Sequence, residues 1–509
     1  MADSHSRAAH HIRWALVTQH PRQSANPSPP RLGTMRLPPK SLRPLLLAAL
    51  LLCAPALAPL PAFAQAQQAA VPAAPKPGTP VPAGSPLQAG PVHAQFAIYY
   101  APRPKADPMA TLRSRLAKLG DAPRLLASLP KPSEVSTPVL FANWNTTTVQ
   151  QTYRAPEMEM LQRFGHGITR EQAEALQGSS QALIIDFAHP SKLALSAMRK
   201  ALELTLQVAR DTNGFVWDEE TRELFTPDEW QKRRVDSWAG GIPDIASQIV
   251  IHAYQADNKL ARAITLGMGK FGLPDVVVSQ FSWSMNGPMG TLVNGFAQAM
   301  VEGAQIARPG QFDLDLRTLK QGGLRDPKDK EAKGTTPARL SLVAGTWESG
   351  DPRNRLYEIG FDRYPGPDRS AQQVALLKST FGAADDSVSR IKHNEEILAA
   401  GKLARAQLPA LRDAFAKGLA PGEYILVKAP FITRSGGNEW MWVEVTGWKG
   451  DAIDGMLKNE PVEVADLHAG QMVEVSQAKV FDYMRRYADG REEGNETGKV
   501  IQRGVAGKR

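Results

Sequence analysis

Residues 182–212 read ALIIDFAHPSKLALSAMRKALELTLQVARDT, and this stretch contains two patterns in succession. The almost wholly apolar run 182–188 predicts a buried β-strand. After a turn at Pro190, apolar residues recur every three or four positions, which predicts an amphipathic helix that ends at Asn213 and Gly214. A strand that passes directly into a long helix is typical of a fold that packs helices against a sheet.

The segments around this stretch complete a longer succession. Strands are predicted at 94–101 and 138–143, and a helix with Pro108 in its first turn lies between them. Residues 215–225 predict a short hairpin. The order is therefore βαββαβ, which predicts a ferredoxin-like sandwich over residues 94–235.

The middle of the chain predicts a similar succession of strands and helices, although the residues themselves do not repeat. A second α+β domain is predicted over 243–380, with two strands on either side of a helix near 257–270. Residues 388–417 are predicted to be helical, with breaks at Gly401 and Pro409, and the chain beyond them is rich in strand-forming residues. The whole chain is thus predicted to be an α+β protein.

Residues 35–64 have the three parts of a secretory signal peptide. Basic residues come first, the apolar run 45–54 follows, and residues 62–64 read Ala-Phe-Ala, the small-x-small pattern of a cleavage site. The apolar run is too short to span a bilayer, so the mature chain is expected to have no membrane span. We therefore predict cleavage after Ala64 and a periplasmic location.

Three segments around the predicted domains are expected to lack a core. Residues 1–34 are interpreted as a non-native extension, and translation could begin at Met1 or at Met35. Residues 65–93 are rich in Pro and Ala and predict an extended linker. The polar segment 488–509 predicts a disordered tail.

The charge and the cysteine content exclude several classes of function. The net charge is +9, but residues 1–64 account for +6 of it, so the predicted mature chain carries only +3. Nucleic-acid binding is therefore not expected. The one cysteine, Cys53, lies inside the leader, so the mature chain has no thiol for a disulfide, a cysteine nucleophile or a cysteine metal site.

The C-terminal part contains a series of short motifs. They are EYILVKAPF at 423–431, EWMWVEV at 439–445, GMLKNEP at 455–461, GQMVEV at 470–475 and FDY at 481–483. In order and spacing the series resembles the YegJ-like family of bacterial domains of unknown function, with Tyr483 where that family has a closing Trp. The resemblance implies a β-rich module behind a helix, over residues 388–487, and it implies no reaction. Relatives are sometimes associated with immunity to bacterial toxins.

The same region supplies the candidate binding residues. Alternation along a strand places Trp440, Trp442 and Glu444 on one face, which would suit a binding surface. Lys428 and Asn459 are the further candidates there. Each has a structural alternative, because tryptophans in strands commonly pack in a core, Asn459 suits a turn, and Lys428 could form a cross-strand ion pair.

The weak catalytic candidates are Asp186 and His189, at the point where the strand 182–188 meets its helix. Asp186 could orient His189, which could then act as a general base. The alternative is a helix-entry turn in which Asp186 only satisfies backbone donors. The mature chain contains no nucleotide-binding loop, no nucleophile elbow and no zinc-binding pair of histidines, so neither a cofactor nor a metal is expected.

These observations favour an exported, non-enzymatic protein that binds an unknown protein or a cell-envelope ligand. Two alternatives stay open at this point. One is a periplasmic hydrolase that uses Asp186 and His189. The other is an immunity-type protein that binds a toxin.

Overall fold

The computed structural model describes residues 14–16, 76–255, 260–282, 285–321, 337–382, 395–434, 436–459, 461, 463–464, 467–489 and 491–500. The described residues belong to one compact unit, and the predicted signal peptide at 35–64 lies outside them. Helices and strands are both abundant and the strands form several sheets, so the α+β class is confirmed.

The N-terminal region forms a seven-stranded sheet with helices. Apart from β1 (Trp14–Leu16), which belongs to the second sheet, its elements are β2 (Val92–Tyr99), α1 (Pro108–Lys118), β3 (Arg124–Leu126), β4 (Val139–Asn145), α2 (Val149–Thr152), α3 (Met158–Phe164), β5 (Gly165–His166), α4 (Arg170–Gln177), β6 (Ala182–His189), α5 (Ala194–Thr212), β7 (Phe215–Asp218), β8 (Glu223–Phe225) and α6 (Pro227–Trp230). The strand order is β3-β4-β6-β2-β7-β8-β5.

The predicted succession βαββαβ is present as β2-α1-β4-β6-α5-β7. Strand β6 lies between β4 and β2 and pairs antiparallel with both, and β7 pairs antiparallel with β2. The sheet nevertheless has seven strands, because β3, β5 and β8 extend it at both ends. Helices α1 and α5 pack against each other, and Leu112 and Met198 bury their side chains in the same core as Phe96.

The middle region forms a second seven-stranded sheet, in the order β1-β11-β12-β13-β16-β15-β14. A small hairpin of β9 (Trp238–Ala239) and β10 (Ile242–Pro243) precedes it. Its remaining elements are β11 (Val250–Gln255), β12 (Ala261–Leu266), β13 (Asp275–Phe281), α7 (Asn286–Val301), β14 (Gln311–Leu314), β15 (Ala338–Ala344), β16 (Leu356–Gly360) and α8 (Arg369–Phe381).

The helix predicted near 257–270 is wrong. Residues 261–266 form β12, which pairs antiparallel with β11 on one side and β13 on the other, and 268–271 form a single 3-10 turn; residues 256–259 lie outside the described residues. Every residue of β12 is buried. Burial between two strands outweighs the helical preference of its Ala, Arg and Leu residues.

One apolar core serves both sheets. A single cluster of buried residues includes Phe96 and Phe187 from the first sheet together with Val278 and Leu342 from the second. The two predicted domains, 94–235 and 243–380, therefore share their core.

The predicted linker docks onto this body in its described part. Val81 is 1% exposed, and its N–H donates to Leu342 O at 3.0 Å. Gly84 and Ile306 exchange two backbone hydrogen bonds at 2.9 Å. The linker prediction is thus wrong for residues 76–91, because the Pro-rich composition did not reveal backbone pairing with distant strands.

The C-terminal region is a six-stranded antiparallel sheet behind a long helix. Its elements are α9 (Glu395–Lys417), β17 (Tyr424–Ile432), β18 (Asn438–Lys449), β19 (Ala452–Leu457), β20 (Met472–Ser476), β21 (Asp482–Arg486) and β22 (Glu492–Gly494), and the strand order is β20-β19-β18-β17-β21-β22. It has a core of its own, in which Leu408 and Leu411 of α9 meet Ile425, Val427 and Met441.

The predicted breaks in α9 are wrong, since the helix runs without interruption through Gly401 and Pro409. Glycine is needed at 401 because a Cβ atom there would lie 2.8 Å from the ring of Phe481. The region contacts the first sheet through Gln162, which accepts from Gly422 N–H at 2.6 Å and donates to Ala420 O at 3.2 Å.

The prediction of a disordered tail is also wrong for residues 491–500. Strand β22 pairs with β21, and a final helical turn follows at 496–500. The Asp482 carboxylate, fully buried, accepts the N–H of Thr497 at 2.8 Å and its hydroxyl at 2.5 Å. In the described part of the chain, no helix is long and apolar enough to cross a membrane.

Candidate functional site

The predicted binding residues lie on paired strands of the C-terminal sheet. The register of β17 and β18 places Lys428 opposite Trp442, Pro430 opposite Trp440, and Leu426 opposite Glu444. Directly paired residues project from the same side of a sheet. The residues Lys428, Trp440, Trp442 and Glu444, all half-buried, therefore share the face opposite to α9, which we call the Lys428 face.

Lys428 is the most unusual member of this face. Its Nζ lies 5.5 Å from the centroid of the Trp442 ring. Burial lowers the pKa of the ammonium, although the negative charge of Asp482 acts in the opposite direction. Lys428 forms no hydrogen bond or ion pair through its side chain with any other residue that the structure describes. A partly desolvated cation of this kind can bind an anionic group strongly.

Other members of the face have partners within the protein. The Glu444 carboxylate accepts from Lys458 Nζ at 2.9 Å. The Trp440 ring packs against Phe481 with 4.6 Å between centroids. Trp440 therefore has the packing role that the sequence offered as an alternative, and Trp442 and Lys428 are left as the candidate binding residues of the face.

Asn459 positions a strand. Its Oδ1 accepts the N–H of Trp442 at 2.6 Å, and the neighbouring Lys458 N–H donates to Trp442 O at 2.8 Å. These two bonds continue the β18–β19 ladder past the end of β19. The sequence suggested that Asn459 is a turn residue. In the structure its side chain anchors the backbone of Trp442.

Asp186 and His189 do not form a catalytic pair. The register of β6 against β2 is regular along the whole strand, so two residues three positions apart project from opposite faces. Asp186 accepts from Gln95 Nε2 at 2.7 Å and lies 3.7 Å from His93 Nε2. His189 uses Nδ1 to bond Pro190 O at 3.2 Å. The orientation of His189 by Asp186, which a hydrolase would need, is therefore absent from this strand.

Burial governs the ionisation of both side chains. It raises the pKa of Asp186, against the opposing effects of the Gln95 hydrogen bond and the His93 charge. It lowers the pKa of His189, which favours the neutral imidazole. His189 is 2% exposed, and its Nε2 has no hydrogen-bond partner among the described residues.

Sequence reasoning missed a buried ionic network between the two seven-stranded sheets. Lys270 and Asp218, both 0% exposed, are joined by an Nζ–Oδ2 contact of 2.5 Å. Arg234 bonds Asp218 at 3.2 Å and Glu223 at 2.6 Å, and Glu223 bonds His166 Nε2 at 2.7 Å. Its one visible signal was a lone lysine inside the otherwise uncharged run LGMGKFGLP at 266–274.

This network is structural in character. Burial by itself would raise the pKa of Glu223, but Arg234 and His166 outweigh it and hold that pKa well below its ordinary value. Lys270 also donates to Gln248 O at 2.9 Å, so the charges are satisfied internally. Within the described ranges, no group of three or more His, Cys, Asp or Glu side chains is arranged to hold a metal ion.

No curated protein and no solved structure matches the chain. Residues 412–509 match the model of DUF2314, an uncharacterized protein family conserved in bacteria. The match begins inside α9 and continues through β22, and it confirms the predicted resemblance to a bacterial family of unknown function. The C-terminal part of this chain, over residues 412–509, is therefore similar to DUF2314.

Proposed function

We propose that this chain is an exported, non-enzymatic protein of the periplasm, and that its DUF2314-like domain binds a partner protein through the Lys428 face. The observation that carries the binding proposal is the state of Lys428. Its ammonium is half-buried beside the Trp442 ring and has no anionic partner at contact distance in the described part of the chain.

An acidic side chain of a partner is the group that fits this position. A carboxylate at Lys428 would form a charge-assisted hydrogen bond, and the flat Trp442 ring beside it would bury apolar surface of the same partner. Aromatic residues next to a basic side chain are enriched at the energetic centres of protein interfaces. The Glu444–Lys458 pair then forms the polar rim of the contact.

Export rests on the leader described above. Apart from β1, all described residues follow the predicted cleavage site after Ala64. Cleavage would remove β1 from the edge of the second sheet, where it pairs with β11. We expect the periplasmic protein to begin at Gln65 when its N-terminus is sequenced, and Ala64→Asp to block the cleavage. A chain recovered uncleaved from the cytoplasm would contradict export.

The binding proposal is tested by crosslinking in intact cells. Tagged protein is recovered from the periplasm, and its partners are identified by mass spectrometry. Lys428→Met keeps the length of the side chain and removes its charge, so we expect it to lose the dominant partner. Lys449→Met is the matched control, because Lys449 is an exposed lysine at the end of β18.

Each outcome bears on the proposal. Loss of the partner in Lys428→Met but not in Lys449→Met, with equal thermal melting of both variants, supports it. Equal recovery by the two variants overturns the role of the Lys428 face. The absence of any partner above background overturns protein binding altogether. The identity of a recovered partner distinguishes a toxin, which an immunity-type protein would bind, from a component of the envelope.

A further inference from the structure

The Lys428 face extends across the C-terminal sheet to the edge formed by β20. The register of β18, β19 and β20 places Met456 opposite Glu444 and Met472 opposite Met456, so these side chains share the face. Side chains alternate along a strand, and Asp454 and Glu474 therefore project from the same side, where they lie directly opposite each other. The face thus has a second charged group, which is acidic.

This acidic pair has no cation of its own. Asp454 is half-buried and Glu474 is exposed, and neither carboxylate forms a hydrogen bond or an ion pair with another residue that the structure describes. Like charges directly opposite each other in neighbouring strands destabilise a sheet. A cation brought to this position from outside the chain would relieve the repulsion.

Lys428 is a cation on the same face that lacks an anion. The residue opposite it on β21 is Asp482, whose carboxylate already accepts the N–H groups of Tyr483 and Thr497, each at 2.8 Å. Asp454 lies two strands away across the sheet and about four residues away along it, which corresponds to roughly 17 Å. Lys428 and the acidic pair are therefore too far apart to meet within one copy of the chain.

A second copy of the chain satisfies both groups at once. In a two-fold symmetric dimer the same surface is used by both copies, so every contact occurs twice. With two Lys428 faces packed together, Lys428 of each copy can meet Asp454 and Glu474 of the other. An unrelated acidic partner would satisfy Lys428 alone and would leave the repulsion of the acidic pair in place. The charges therefore favour a second copy as the partner.

The surface around the charged groups is suited to burial. Ile432 at the end of β17 is 75% exposed and Met472 on β20 is 58% exposed, and both project from the Lys428 face. Covering these side chains removes apolar surface from water. Methionine adapts to irregular surfaces and packs well on aromatic rings such as that of Trp442. Between the two charged groups lies Glu444, which Lys458 already neutralises at 2.9 Å.

We infer that the Lys428 face is the interface of a symmetric dimer of this chain, in which Lys428 of each copy pairs with Asp454 and Glu474 of the other. The inference rests on the proposed function, since it identifies the partner that the same face binds. The charged contacts set the register of the two copies, and the apolar side chains supply the buried surface.

Sedimentation equilibrium of the purified full chain tests the dimer, which is expected to form with a dissociation constant below about 10 μM. Two charge reversals are compared with it, Lys428→Glu and the double variant Asp454→Lys with Glu474→Lys. Each turns both symmetry-related contacts from attractive to repulsive, so each should raise the dissociation constant at least about hundredfold. Lys402→Glu, on the exposed side of α9, is the control and should dimerise as the unchanged chain does.

An equimolar mixture of the two reversed variants is the decisive sample. In the mixed dimer every contact again joins opposite charges, whereas in a dimer of either variant alone every contact joins like charges. We expect the mixture to dimerise with a dissociation constant within about tenfold of that of the unchanged chain. Such a rescue also shows that both variants are folded, because a misfolded variant would not be restored by mixing.

Three results would overturn the inference. The first is an unchanged chain that is still monomeric at about 0.1 mM. The second is dimerisation that persists undiminished in both reversed variants, and the third is a mixture that stays monomeric although each variant melts as the unchanged chain does. A monomeric chain whose crosslinks to another protein in cells depend on Lys428 overturns the dimer and leaves the proposed function intact.

Discussion

Replacing Lys270 by methionine should destabilise the body formed by the two seven-stranded sheets, because it removes a fully buried charge. Its ammonium is 0% exposed and contacts Asp218 Oδ2 at 2.5 Å and Gln248 O at 2.9 Å. Methionine has nearly the same length, so the substitution removes the charge and both hydrogen bonds without opening a large cavity.

The size of the stability loss follows from the groups that lose their partner when the ammonium is removed. Removing one partner of a buried ion pair typically costs about 3–5 kcal/mol, because the other charge is left uncompensated. Asp218 retains Arg234 Nε at 3.2 Å, which places the loss at the lower end of that range. The Gln248 carbonyl loses one donor as well. We expect a decrease in the free energy of unfolding of about 3 kcal/mol.

Urea denaturation followed by tryptophan fluorescence measures this loss, because Trp230 and Trp238 are buried close to Arg234. Lys232→Met is the matched control. Its ammonium is 61% exposed and contacts Glu229 at 3.4 Å, so it should change the stability by less than about 1 kcal/mol. A loss below about 1 kcal/mol in Lys270→Met would refute the view that the buried charges stabilise the junction of the sheets.

Two further changes have defined outcomes. Burial and the charge of Arg222 lower the pKa of His252 to about 4, so the unfolded chain takes up its proton near pH 6.5 while the folded chain does not until about pH 4. Stability is therefore lost as the pH falls through this window, by up to about 3 kcal/mol, and urea titrations at pH 7 and pH 4 should show a smaller loss for His252→Gln than for the unchanged protein. Asp482→Asn replaces one carboxylate oxygen by an amide nitrogen, so one oxygen must accept the backbone hydrogen bonds that two oxygens accept now. The amide of Thr497 should therefore exchange its hydrogen faster. An unchanged exchange rate would contradict the anchoring of this C-terminal segment.

Local patterns were sufficient where one face of an element is buried. The spacing of apolar residues predicted α5, and the alternation around residue 442 predicted which residues share the Lys428 face. The prediction failed for β12, which contains Arg262 in a buried strand. The Arg262 guanidinium donates a hydrogen bond to the carboxylate of Asp351 at 2.8 Å, and Asp351 lies 89 residues away in sequence. No local pattern carries that information.

The candidate sites illustrate the same limit. Proximity in sequence suggested that Asp186 orients His189. Side chains alternate along a strand, however, so these two residues project from opposite faces of the sheet. The lack of an anionic partner for Lys428 depends on strands far apart in the chain. Such a feature becomes visible only when the sheet is assembled.

An apolar core that both seven-stranded sheets share, beside a separate core in the C-terminal sheet, predicts two cooperative units. Residues that share a core open together, so native-state hydrogen exchange should protect β6 and β13 to the same degree. We expect the C-terminal sheet to open separately once its contacts with Gln162, Gly165 and Arg170 are released. The C-terminal sheet would thus be able to loosen without disturbing the core under the two seven-stranded sheets.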